Sequence, residues 1–191
     1  CLHGNSEYRI GGSMNSIYVY DGDFSKGDAG FGLIKLAALM FCMDKKLPYD
    51  MRAADIKRGD KGKPYFDNVP LKFSLSHSEG LWMCMFSDKN CGLDLQYMKD
   101  CDYEKIAGKY FLPEEISYVK EHGIEGFYKI WVRKEAYAKM TGEGIFGISC
   151  PNVLSEGQGY SFTELEISDE MKCAFCMEEP LKEDVELKIL K

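Results

Sequence analysis

No stretch of this 191-residue chain is apolar for long enough to cross a bilayer; the longest, GFGLIKLAALMFCM at 30–43, is too short and is broken by Lys35. Basic residues are not in excess either. With 24 Lys+Arg against 31 Asp+Glu the formal charge is −7. That argues against nucleic acid as a partner, because displacing counterions from a phosphate backbone needs a basic surface. Any anionic ligand must meet local lysines instead. The cysteines lack a metal pattern. Eight occur, at 1, 42, 84, 91, 101, 150, 173 and 176, without the paired knuckles of a structural zinc site. The one C-x-x-C, Cys173 and Cys176, lies in a strand-like run where an offset of three sends the two thiols to opposite faces. Buried free thiols and a reducing compartment are expected. An apolar export signal is also missing. Residues 1–13, CLHGNSEYRIGGS, end in a small polar linker before Met14 and read as an added, non-native leader. A cytoplasmic address and no membrane partner follow as expectations.

What is present is the composition of a globular protein, 45% hydrophobic and 13% aromatic. SIYVY after Met14 reads as a strand, and 30–45 as a mostly buried helix closed by KKLP. The glycine- and lysine-rich IKRGDKGKPYFDNVP reads as a loop. LKFSLSH (71–77) and LWMCMFS (81–87) form a hairpin across SEG. In CGLDLQYM (91–98), alternation puts Asp94 and Gln96 on one face and Leu93 and Leu95 on the other. Three helical patterns follow: 102–111, 113–123 with Pro113 at its start and Gly123 as its stop, and 124–141 ending in TGEG. Strand-like runs near 160–167, 171–178 and 184–190 complete the chain. The expected fold is α+β, with two similar lobes in pseudo-twofold arrangement, each a small antiparallel sheet packed with a long helix. The lobes divide at 14–90 and 91–191.

KIWVRKEAYAKMTGEG (129–144) mixes apolar and ionic groups on one stripe, with Trp131, Glu135 and Lys139 four apart. Taken alone it predicts an i,i+4 ion pair between Glu135 and Lys139. Asp94 and Glu135 are acids inside otherwise apolar segments, and carboxylates are rarely buried unless paired or metal-bound. Two carboxylates suit magnesium, which keeps several waters and shares its shell with substrate phosphates. Lys134 and Lys139 could then face those phosphates. A strand-end turn residue or salt-bridge partner explains Asp94 equally simply.

GLDLQ followed by WVRKEAYAK resembles the paired signature of the 4′-phosphopantetheinyl transferases, G-[IV]-D-x-E and [FW]-x-x-K-E-[AS]-x-x-K. GKPYF (62–66), FSLSHSEG (73–80) and KYFLPEE (109–115) are similar, in the same order, to segments of its surfactin-type, two-lobed branch. The resemblance spans residues 62–144. It implies transfer of the phosphopantetheine arm of coenzyme A to a serine of an acyl or peptidyl carrier protein, with Mg2+ as cofactor and adenosine 3′,5′-bisphosphate as product. By resemblance, Asp94 and Glu135 take magnesium-ligand places, with Gln96 beside them where much of the family has glutamate. Glu115 takes the place of a general base. Lys134 and Lys139 face phosphate, Lys139 near the leaving oxygen. Ser76 and His77 contact the coenzyme A phosphates, and Gly62, Lys63 and Pro64 line the adenine side. Glu115 also reads as a helix N-terminal acid whose basicity the macrodipole lowers, His77 as a core histidine, and GKP as a turn. The amide of Gln96 predicts weaker magnesium coordination. A single chain with both lobes predicts a monomer. A noncatalytic coenzyme A or carrier-protein binding module is the alternative.

Overall fold

The computed structural model describes residues 14–24, 29–144, 150–155, 157, 159–180 and 185–190. Residues 1–13, read above as an added leader, lie outside the described residues. The order of elements is β1 (Ser16–Asp21), α1 (Ala29–Asp44), β2 (Ile56–Arg58), β3 (Pro64–Phe66), β4 (Lys72–Ser78), β5 (Leu81–Ser87), β6 (Cys91–Tyr97), α2 (Tyr103–Tyr110), α3 (Pro113–Thr141), β7 (Ser161–Ser168), β8 (Met171–Met177) and β9 (Glu186–Ile189).

Two sheets stack between helices. The first has the order β4-β5-β1-β9 and the second β6-β8-β7. Alternation along β1 and β5 divides the core. Tyr18, Trp82, Cys84 and Phe86 meet α1 through Ile34, Ala38 and Phe41, while Ile17, Met83 and Met85 meet Leu93, Leu95, Cys173 and Phe175 of the second sheet. The other face of β8 packs beneath α3, where Cys176 joins Ile130, Ala136 and Met140. Cys173 and Cys176 thus do lie on opposite faces, both buried and free. The mixed α+β character holds, and the second sheet is antiparallel throughout. The first is not. β9 pairs with β1 in parallel, Ser16 opposite Glu186 and Val19 opposite Ile189, so residues from beyond position 90 complete the sheet built by 14–90.

Two further departures have local causes. The stretch read as a loop at 56–66 contains a small hairpin, with Ile56 opposite Phe66 and Arg58 opposite Pro64; strands of three residues are too short to show alternation. The helical patterns 113–123 and 124–141 run on as one helix, kinked at Gly123 with φ 61° and ψ −145°. Glycine is the residue that tolerates this conformation.

The seam between the sheets is made by side chains. β4 is an edge strand, and β6 presents backbone N–H groups toward it. The hydroxyls of Ser74, Ser76 and Ser78 accept hydrogen bonds from the N–H of Leu93, Leu95 and Tyr97 at 2.9, 3.1 and 3.0 Å. The alternating serines of SLSHS are a substitute for a backbone ladder.

Candidate functional site

α3 lies directly over β6 because position 92 is glycine. A Cβ built there would fall 1.8 Å from the carbonyl oxygen of Ala136 and 2.4 Å from the nitrogen of Met140. This close approach brings Asp94 of β6 toward Glu135 and Lys139 of α3. Asp94 is buried, and its Oδ1 accepts from Lys139 Nζ at 2.7 Å and from Ser76 Oγ at 2.9 Å. Its Oδ2 accepts from the Gln96 amide at 3.2 Å. Lys139 Nζ also reaches the carbonyls of Leu75 (3.3 Å) and Leu93 (3.0 Å) and Ser76 Oγ (3.1 Å). The i,i+4 ion pair expected between Glu135 and Lys139 is therefore replaced by a cross-element pair with Asp94, which offers a buried partner at shorter range.

A cleft of about 610 Å³ opens in front of this group. Glu135, Lys139, Gly62, Lys63, Pro64 and His77 line it. Burial pushes the Glu135 carboxyl above the usual range, the nearby Asp94 charge pushes it further, and Lys139 opposes both. Among the described residues Glu135 has no hydrogen-bond or ion-pair partner. His77, expected either in the core or on phosphate, is exposed, its ring 5.3 Å from that of Phe24. Lys63 donates to the carbonyls of Met140 at 3.0 Å and Cys91 at 3.4 Å, and burial lowers its affinity for the proton.

Glu115 and Lys134 sit elsewhere. They form an ion pair at 2.8 Å with side chains 0% and 2% exposed. Glu115 Oε2 also caps the Leu112 N–H at 2.8 Å, and Oε1 accepts from the Val153 N–H at 3.0 Å. Neither residue lines the cleft. The places that the resemblance gives to a base and a phosphate contact, Glu115 and Lys134, are thus filled by an interior ion pair outside the cleft lining. Residue 134 is turned about 100° around the helix from 135, so it enters the α2–α3 core, with its ammonium 5.6 Å from the Phe111 ring centre.

Ser76 is buried and bonded to Asp94 and Lys139, and is absent from the cleft lining. Arg58 and Lys61 line the cleft mouth and were missed, having been read as a solvated loop. Their signal was basic residues just before GKP. Arg58 lies 5.6 Å from the Phe31 ring centre and donates to the Gly62 carbonyl at 3.1 Å.

The described residues include no group of three or more His, Cys, Asp and Glu able to hold a metal. Magnesium does not require one, since one or two carboxylates plus substrate oxygens suffice. Two carboxylates whose charges oppose each other, one of them unpartnered and facing a cleft with basic walls, fit a divalent cation shared with a phosphorylated ligand.

Two carboxylates and several basic side chains are thus gathered between a strand and a helix at one cleft. Residues 90–178 match the family model of the 4′-phosphopantetheinyl transferase superfamily, and the resemblance read in the sequence is borne out over that segment. The chain is 36% identical over 106 residues to the 4′-phosphopantetheinyl transferase HetI of Nostoc sp., covering 52% of this chain and 43% of that protein. It is 31% identical over 105 residues to the 4′-phosphopantetheinyl transferase Sfp of Bacillus subtilis, covering 51% and 46%. With AcpT of Salmonella typhi it shares 31% identity over 112 residues, 52% and 58%. The chain thus spans about half the length of the curated relatives it matches. No described helix is long and apolar enough to cross a membrane.

Proposed function

We propose that this protein transfers 4′-phosphopantetheine from coenzyme A to a serine of an acyl or peptidyl carrier protein, releasing adenosine 3′,5′-bisphosphate in a magnesium-dependent reaction. The observation that carries the reading is the meeting of Asp94, Glu135 and Lys139 at a cleft walled by Gly62, Lys63, Pro64 and His77. Its support is the match of residues 90–178 to the transferase superfamily.

Attack on a diphosphate needs in-line positioning and charge neutralisation more than covalent help from the protein. Magnesium, when bound by Asp94 and Glu135, supplies much of that neutralisation. The chain supplies the rest. Lys139, Lys63, Lys61 and Arg58 offer positive charge along the cleft, and Phe31 and Phe24 offer apolar area for the adenosine and pantetheine parts. Glu115, enclosed by three donors, is not placed to take the proton of an acceptor serine. Glu135 is the one carboxylate among the described lining residues, and the proton affinity that burial and the Asp94 charge raise there is what a bound cation would offset.

Both lobes of the cleft belong to one chain, in an approximate twofold arrangement, and the protein acts as a cytoplasmic monomer without nucleic-acid or membrane partners. Incubation with Mg2+, coenzyme A and an apo carrier protein should raise the carrier's mass by one phosphopantetheine. An unchanged mass, with coenzyme A still bound, would instead identify the noncatalytic binding module.

A further inference from the structure

The serines of β4 are not equivalent. Ser74 and Ser78 each accept one backbone N–H from β6 and complete the seam. Ser76 makes three bonds. Its Oγ accepts from the Leu95 N–H at 3.1 Å and from Lys139 Nζ at 3.1 Å, and lies 2.9 Å from Asp94 Oδ1. A hydroxyl has one proton and two lone pairs. The two N–H donors occupy the lone pairs, so the proton points at Asp94 Oδ1. No capacity is left for a phosphate oxygen. Ser76 is 5% exposed and is not among the cleft-lining residues, whereas its neighbours Leu75 and His77 are.

We infer that Ser76 is a positioning residue that aims the Asp94 carboxylate, and that it makes no contact with coenzyme A. This rests on the transferase reading and divides the work of the Ser-His segment. His77 faces the ligand. Ser76 is clamped to the β6 backbone at Leu95 and holds Asp94 Oδ1, so the carboxylate is fixed relative to both sheets. Groups that orient a metal ligand typically change metal affinity by 10–100-fold when removed, whereas loss of a phosphate contact shows in ligand affinity without metal.

Two calorimetric titrations separate the roles: Mg2+ into protein saturated with coenzyme A, and coenzyme A into metal-free protein in chelator. Ser76→Ala should weaken Mg2+ binding on the order of tenfold and leave metal-free coenzyme A binding unchanged. Ser78→Ala, which removes a seam bond only, should leave both titrations unchanged. Ser76→Cys keeps the volume with a poorer donor and should show the same Mg2+ loss if the alanine variant does not fold. Undiminished Mg2+ affinity in a folded Ser76 variant, or a loss of metal-free coenzyme A affinity, overturns the inference. Wild-type protein that binds Mg2+ but no coenzyme A sinks the transferase reading alone, and protein that binds neither sinks both.

Discussion

The Glu115–Lys134 pair shows how much one interior contact can weigh. Each partner would be an uncompensated buried charge without the other, and breaking such a pair costs about 3–5 kcal/mol. Lys134→Met should lower stability to urea by that amount, and the double change Glu115→Gln with Lys134→Met should recover most of it. A base at Glu115 would behave differently. The double variant, whose urea midpoint recovers, would then have lost its turnover, whereas a purely structural pair leaves turnover largely intact. The thiols give a second prediction. Burial pushes Cys91, Cys173 and Cys176 up to about 12. At pH 8 they should resist alkylation until denaturant is added, while the half-buried Cys101 reacts in the native state, as mass spectrometry of labelled peptides would report. The sign for stability follows from the same shift. The folded state keeps these protons where the unfolded chain has begun to lose them, so stability is complete below about pH 9 and falls above it.

Gly92 and Gly123 set the geometry of α3 in different ways. Any side chain at 92 meets helix backbone rather than a yielding side chain. Gly92→Ala should therefore lift α3 from β6, separate Glu135 from Asp94, and lower both thermal stability and the proposed transferase activity. Gly123→Ala meets no atom within 4 Å but must adopt a backbone conformation costing about 1–3 kcal/mol; its effect should be on stability, read by urea denaturation. Most elements were legible in the sequence, because β4, β5, β6 and β8 alternate or run apolar and Pro113 and the TGEG stretch mark the ends of α3. The β2–β3 hairpin was not legible, being too short for any period to emerge. Nor was the continuity of α3, since a glycine that ends one helix and a glycine that kinks a longer one look the same in a linear pattern.

The site was legible in its residue types and less so in its pairings. Asp94, Glu135 and Lys139 could be singled out as charges in apolar segments, yet the partner of Lys139 lies 45 positions away and only the packing of α3 on β6 reveals it. Glu115 and Lys134 illustrate the converse, a motif position filled by a residue that the fold turns inward. The strand near 184–190 was legible as β9, but its parallel pairing with β1 was not. Leu190, 5% exposed, enters the core beneath α1, so Leu190→Ala should cost about 2–5 kcal/mol by thermal or urea unfolding. The return of the chain to its own first strand means that the halves are knitted together rather than set side by side. A protease cut in the link between β6 and α2 would leave two pieces still clasped twice, by β8 on β6 and by β9 on β1, and the same pieces, expressed separately and mixed, should reassemble more weakly when the second lacks β9.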